Sequence, residues 1–300
     1  MTDNAATHTA RRNPYALSDP CLFRGARSKI DPQSWHCSHP NHTTATLDYC
    51  GRCHDNDHSL KTGPGTVRTW ALGVTTAPRR EPTLSRMLES LRHAGWNEAY
   101  IFAEPGSADD GVTSGHRWCS RGQRLGMFSN WYLSLTELTL REPEADAYVL
   151  CQDDIVFCEG VRSYLEQILW ASPSPQVLSI YCAAVHDRND DVGFRALDEG
   201  WQTCGALTLI FPNVVARALL CDSMFLHHRR NGSMSETVGI DSVVGSWCQK
   251  SGITYYVHSP SLVQHIGQNS TLWGYLADSP RRSACSFPGE SVSIVDTLAQ

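Results

Sequence analysis

Ala147-Tyr-Val-Leu-Cys-Gln-Asp-Asp-Ile-Val-Phe157 is the stretch on which the fold turns. Its opening run, Ala147 to Cys151, is continuously apolar, as expected of a central strand buried on both faces. Two adjacent carboxylates, Asp153 and Asp154, then interrupt the apolar sequence before Ile155-Val-Phe157 resumes it. Carboxylates with such flanks are costly unless a positive group meets them. A divalent cation is the natural partner, and hard oxygen ligands with open positions suit magnesium or manganese holding a diphosphate. The plainer alternative is a pair of turn or N-cap aspartates at a strand end.

Outward from this stretch, strands and helices alternate. Val67 to Thr75, Ala99 to Phe102, Val177 to Ala183, Ala206 to Phe211 and Thr254 to Val257 read as further strands. Pro82 to Ala94, with Leu84, Met87, Leu88 and Leu91 at helical spacing and Gly95 at its end, reads as a helix. So do Gly126 to Thr139, Val161 to Ala171, Val214 to Cys221 and Asp241 to Ser251. This alternation predicts an α/β fold: a mostly parallel sheet flanked by helices, with ligands beyond the carboxyl ends of the central strands. The sequence has no G-x-G-x-x-G, Walker A, H-E-x-x-H or G-x-S-x-G motif, which disfavours dinucleotide oxidoreductases, P-loop enzymes, zincins and ordinary serine hydrolases.

Composition narrows the classes further. The chain has 300 residues with 31 acidic and 25 basic side chains, a formal charge of -6, which disfavours nucleic-acid binding by phosphate neutralisation. The most apolar run, Gly205 to Cys221, is broken by Pro212, Asn213 and Arg217, so no transmembrane segment is expected. Residues 1-20 are polar, without the apolar core of a signal peptide, and read as a disordered lead. The sequons at Asn41, Asn231 and Asn269 matter only in a secretory compartment, and the expected location is the cytoplasm.

Twelve cysteines fall into two groups. Cys21, Cys37, Cys50 and Cys53 precede residue 54, and Cys50-Gly-Arg-Cys53 has the spacing by which two thiolates reach one metal. Residues 21-60 carry few large apolar side chains, so a structural zinc would staple this Cys-rich module, which resembles the small zinc-ribbon-like leader of some bacterial glycosyltransferase-like proteins. Nearby His36, His39, His42, His54 and His58 could replace a thiolate, and two disulfides or unpaired thiols are the alternatives. Cys119, Cys151, Cys158, Cys182, Cys204, Cys221, Cys248 and Cys285 stand singly and read as buried, reduced core residues. Lys61-Thr-Gly-Pro-Gly65 reads as a linker.

Five motifs, taken in order, resemble one family. Thr75-Thr-Ala-Pro-Arg-Arg80, Gln152-Asp-Asp154, Cys204-Gly-Ala206, Gly239-Ile-Asp241 and Pro260-Ser-Leu-Val-Gln-His-Ile-Gly267 are similar to nucleotide-sugar glycosyltransferases of the GT-A fold. The ending is similar to bacterial family-25-like transferases and to N-acetylglucosaminyltransferase IV-like domains. The resemblance covers roughly residues 66-275, leaving residues 276-300 as a tail. It implies a DXD motif in which Asp154 ligates manganese or magnesium and Asp153 sits beside the ribose or the metal waters. His265, a lone histidine in an apolar setting, reads either as a satisfied structural residue or as a further metal ligand. Thr75, Thr76 and Arg79 would face the nucleotide, Glu104 would accept from the base or ribose, and Asn130 and Gly205 would border the donor, the other reading of Asn130 being a helix N-terminal cap or an exposed polar residue. Gln152 departs from the acid that many DXD motifs carry.

The mechanism implied is transfer of a hexosyl or N-acetylhexosaminyl group from a nucleoside-diphosphate sugar, a UDP-sugar first among them, to a hydroxyl. The acceptor would be a glycan, a lipid-linked sugar or a protein. Asp241 is the candidate base, and its other reading is a helix N-cap. In-line attack with one base implies inversion. His227 to Ser235 reads as a loop bordering the acceptor, or simply a solvated loop, as does Asp187 to Gly193. Trp201 and Trp273 read as stacking platforms for a sugar or as core. Two rivals stand beside this reading: a nucleotidyltransferase, and a non-catalytic zinc-ribbon scaffold with a transferase-like domain.

Overall fold

The computed structural model describes residues 24–27, 34–37, 44–46, 67–107, 114–172, 175–186, 192–197, 205–230, 239–267 and 283–298. The chain divides into two units, Met1–Ser59 and Leu60–Gln300. In the first, β1 (Arg24–Arg27), β2 (Ser34–Cys37) and β3 (Thr44–Thr46) form a three-stranded antiparallel sheet. Cys37 closes β2, but its thiol, together with Cys21, Cys50 and Cys53, lies outside the described residues.

The second unit is α/β. Its strands are β4 (Trp70–Thr76), β5 (Tyr100–Ala103), β6 (Arg117–Ser120), β7 (Ala147–Gln152), β8 (Ile155–Phe157), β9 (Gln176–Ser179), β10 (Gly193–Ala196), β11 (Thr208–Pro212), β12 (Thr254–Ser259) and β13 (Val263–His265). Eight of them form one sheet in the order β10-β12-β9-β11-β7-β4-β5-β6. Strands β6, β5, β4 and β7 are mutually parallel, β11 opposes β7 and β9, β12 parallels β9, and β10 opposes β12. All but β10 and β11 therefore run one way. The expected mostly parallel sheet is present.

The helices are α1 (Leu84–His93), α2 (Met127–Arg141), α3 (Val161–Ile168), α4 (Asn213–Cys221), α5 (Ser223–Arg230), α6 (Ile240–Ser251) and the short α7 (Ile294–Leu298). They cover both faces, because alternate residues of each central strand point to opposite sides. Leu72 and Val74 of β4, Ile101 of β5 and Val149 of β7 share a buried cluster with Met87 and Leu91 of α1 and Leu165 of α3. On the other side, Gly73 lies against α2: a Cβ there would stand 2.7 Å from Leu138 Cδ1 and 3.0 Å from both Leu150 and Phe102. Trp131 of α2 meets Phe211 of β11 edge-on at 6.1 Å on this second face.

Sequence patterning missed β6, β8, β10, β13, α5 and α7, all of them short, because few residues carry too few periods to register. The predicted strand Val177 to Ala183 stops at Ser179, since Ile180 leaves the sheet and its carbonyl accepts from Leu262 N–H at 2.9 Å. Residues 227–230, expected in a loop, end α5. In the expected tail, residues 283–298 pack into the domain: Ala284 and Ile294 are buried, and Gln264 exchanges side-chain hydrogen bonds with the Ala284 main chain at 2.9 and 3.0 Å. Of the single cysteines, Cys151, Cys158, Cys182 and Cys248 are buried, whereas Cys221 and Cys285 are exposed and Cys119 is half-buried. Cys119 lies in the edge strand β6, Cys221 ends α4, and Cys285 lies in the segment between β13 and α7. Trp201, Trp273, Cys204 and residues 187–191 lie outside the described residues. Among the described residues, no helix is long and apolar enough to cross a membrane.

The surroundings of one buried histidine, His258, predict an acid-sensitive domain. The Pro260 carbonyl can only accept, so His258 Nδ1 carries the proton donated to it at 2.7 Å, and Nε2 accepts from Tyr164 Oη–H at 2.8 Å. Burial pushes the imidazole down to about 4, with the Pro260 bond pulling the other way. The folded value lies below the ordinary 6.5, so the unfolded chain binds the proton more readily between the two. Stability from this residue is complete above the unfolded value and declines as pH falls toward the folded one. Denaturant unfolding should show wild type losing about 2 kcal/mol more than His258→Gln between about pH 7.5 and pH 5. Equal losses would show that His258 does not titrate this way.

Candidate active site

The parallel strands bring their carboxyl ends to one edge, and a cavity of about 930 Å3 opens there. Thr75 and Thr76 end β4, Glu104 follows β5, and Gln152 ends β7 with Asp153 and Asp154 in the turn after it. Because β11 runs the opposite way, its incoming segment, Gly205 to Leu207, reaches the same edge. The start of α6 and the end of β13 complete the wall with Asp241 and His265. All ten expected site residues outside the cysteine module thus line one cavity.

The turn after β7 is held by pairing that no periodicity announces. β8 and β13 are antiparallel with His265 opposite Ile155, and Ile266 N–H donates to the Asp154 carbonyl at 2.8 Å. This register sets His265 Nε2 3.2 Å from Asp154 Oδ2 across a sequence separation of 111. Gly267 permits the approach. A Cβ there would come within 2.9 Å of Asp154 Oδ2 and 3.1 Å of His265 Nε2.

Asp153 and Asp154 are 2% and 5% exposed, so their charge has to be met locally. Arg79 meets it. Its Nε and NH2 donate to Asp153 Oδ1 at 2.9 and 2.6 Å, and NH2 lies 3.0 Å from Asp154 Oδ2. Thr76 Oγ1 donates to Asp153 Oδ2 at 2.6 Å. Asp154 Oδ1 is buried and has no hydrogen-bond partner among the described residues. Burial raises the Asp153 carboxyl, against the lowering by Arg79. Burial also acts upward on Asp154, but the His265 hydrogen bond and Arg79 outweigh it and hold that carboxyl below its ordinary value. The neighbouring acids keep Arg79 protonated despite its own burial.

The other expected residues are more committed to the fold. Both Glu104 oxygens accept from Leu125 N–H, at 2.9 and 3.1 Å, and one from Gly126 N–H at 2.9 Å. The carboxylate thus anchors the orphan donors at the start of α2, where negative charge is favoured. Asn130 is neither cap nor surface residue. It is buried, donates to the Phe102 carbonyl at 3.1 Å and accepts from Arg121 Nε at 2.8 Å, tying α2 to β5. Thr75 Oγ1 donates to the Cys151 carbonyl at 3.3 Å, and Gln152 Nε2 to the Ala206 carbonyl at 3.1 Å.

Asp241 is at the second helical position of α6, because Gly239 is the N-cap. Its Oδ2 accepts Gly205 N–H at 2.7 Å and its Oδ1 accepts Ser242 N–H at 3.0 Å. Gly205 has φ +75°, and a Cβ there would stand 2.7 Å from the Tyr181 ring, so the donor to Asp241 needs glycine. Sequence reasoning did not single out Arg86 and Arg124, which line the cavity from α1 and from the segment before α2. Only their convergence in space marks them.

A divalent cation fits this donor set in part. Among the described residues, no three of His, Cys, Asp and Glu converge as a ready metal cluster. Asp154, with one buried oxygen unpartnered, and His265 still make a carboxylate–imidazole pair. One or two protein ligands completed by phosphate oxygens and water is the manner in which magnesium is commonly held.

No family model matches the chain, and no curated protein does. Solved structures resemble it weakly. A Bacillus anthracis protein described as a glucose-1-phosphate thymidylyltransferase, in complex with sucrose, is 11% identical with a TM-score of 0.39, over 74% of this chain and 98% of that one. S. aureus TarS is 9% identical with a TM-score of 0.40, over 64% of this chain and 36% of that one. HddC from Yersinia pseudotuberculosis is 12% identical with a TM-score of 0.33, over 49% and 77%. Likeness this low leaves the chemistry to be read from the cavity itself.

Close packing at Gly267 is testable. Gly267→Val should destabilise the domain by about 1–3 kcal/mol in denaturant unfolding. Gly122→Val, where an added Cβ meets nothing within 4 Å, should leave stability unchanged. Equal effects would show that the Asp154–His265 approach does not depend on glycine.

Proposed function

We propose that the chain is a metal-dependent glycosyltransferase that moves a sugar from a nucleoside-diphosphate sugar to an acceptor hydroxyl. The observation that carries this is the buried Asp154, with one unpartnered oxygen, His265 on the other and Arg79 beside it. They stand at the carboxyl edge of a mostly parallel sheet, in a cavity whose volume suits a ligand of this size.

Asp154 and His265 are the residues that would hold magnesium or manganese. The ion, when bound, would supply Lewis-acid stabilisation of the departing diphosphate. The chain's own groups do the rest. Arg79 presents a planar fork suited to phosphate oxygens, and Asp153 with Thr76 fixes its position. Asp241 receives the proton of the acceptor hydroxyl as attack proceeds, its carboxylate oriented by the N–H groups of Gly205 and Ser242. A single base and in-line attack favour inversion at the anomeric carbon. The acceptor would be a glycan, a lipid-linked sugar or a protein, and the donor a UDP-sugar first among candidates. The four N-terminal cysteines would bind a structural zinc in a cytoplasmic protein.

A thermal-stability screen of nucleotide sugars with manganese tests this. At a hundredfold excess over Kd, the right donor should raise the wild-type midpoint by roughly 5 °C, and Asp154→Ala should show no such rise. Asp241→Asn should lower transfer by about a hundredfold or more while keeping donor binding. No manganese-dependent shift with any nucleotide sugar would overturn the proposal. Pyrophosphate release from a sugar 1-phosphate and a nucleoside triphosphate would replace it with nucleotidyl transfer. Zinc below about half an equivalent in purified protein would count against the N-terminal site.

A further inference from the structure

Two buried carboxylates already have a cation here, and it belongs to the chain. The Arg79 guanidinium contacts Asp153 Oδ1 and Asp154 Oδ2 together, with its side chain only 11% exposed. Any divalent ion ligated by Asp154 therefore meets a positive group on the same carboxylate. In a site with little water to screen them, the two charges exclude one another. One oxygen, Asp154 Oδ1, has no hydrogen-bond partner among the described residues and offers the ion a first foothold.

We propose that Arg79 is a resident counter-ion which a divalent cation must displace and which the diphosphate then receives, so that cation and nucleoside diphosphate bind cooperatively. The inference rests on the cavity being a nucleotide-sugar site. Arg79 lies in the segment between β4 and α1, outside regular structure, so its side chain can turn without breaking a helix or a ladder. The diphosphate replaces the carboxylates as an anionic partner for the guanidinium fork. By linkage, nucleotide tightens cation binding by the same factor by which cation tightens nucleotide binding. Cation alone binds weakly because it leaves Arg79 without a partner. This arrangement keeps the acid pair neutralised and the domain intact between turnovers.

Binding of Mn2+ alone, followed by electron paramagnetic resonance on the full chain, tests the inference without reference to activity. Wild type, Arg79→Gln, Arg79→Lys and Asp154→Asn are compared, each with no nucleotide and with UDP or GDP. Arg79→Gln should bind Mn2+ alone about tenfold or more tighter than wild type and lose most of the further tightening by nucleotide. Arg79→Lys, which keeps the charge but not the fork, should fall between them. If Arg79→Gln does not fold, Arg79→Lys decides: affinity for Mn2+ alone above that of wild type supports the inference, and equal or lower affinity overturns it. Mn2+ binding that needs Asp154 but is not strengthened in Arg79→Gln overturns this inference and leaves the proposed site standing. Mn2+ binding that is absent, or indifferent to Asp154→Asn, in every variant overturns both.

Discussion

Asp153 and Asp154 impose the constraint around which the domain is arranged. Two adjacent carboxylates at the end of a buried strand require compensation, and water cannot supply it there. Compensation arrives from separate parts of the chain: Arg79 and Thr76 from the end of β4 and beyond, and His265 from β13. Each arrival fixes a piece of backbone. The β4–β7 ladder sets the first approach, and the short β8–β13 pairing sets the second. Gly267, two residues beyond β13, leaves room for both side chains.

The same edge shows how a sheet divides labour. On its interior, apolar side chains alternate between two covered faces and contribute stability by burial. At its carboxyl edge the strands end, and polar side chains take over. Glu104 and Asn130 belong here, yet their groups hold α2 to the sheet rather than standing free in the cavity. They shape the wall that others use. Arg79 and His265 instead contact Asp154 inside the cavity, His265 across 111 residues of sequence, and Asp241 faces the same cavity from α6.

Much of the core was legible because long apolar periods survive any context. Ala147 to Cys151 reads as a central strand, and it is one; Leu84, Met87, Leu88 and Leu91 read as a helix face, and α1 buries Met87, Leu88 and Leu91. Site residues were legible because unlike chemistry stands out against an apolar run, as Asp153 and Asp154 do. What they touch was not. The expectation of a cation beside Asp153 did not anticipate Arg79, since a salt bridge across 74 residues leaves no periodic trace. Nor did the sequence show that Asn130 is locked by Arg121, or that residues 283–298 belong to the domain.

The sequence by itself determined the alternation of strands and helices, the central strand and the acidic pair that ends it. These follow from local hydrophobic period and from the cost of burying charge, both of which are written in consecutive residues. Only the tertiary structure decided strand direction at β11 and β10, the pairing of β8 with β13, and the identity of the groups that neutralise Asp153 and Asp154. Strand direction and side-chain partners depend on loop closure and packing between segments far apart in the chain, and no local pattern encodes the distance between them.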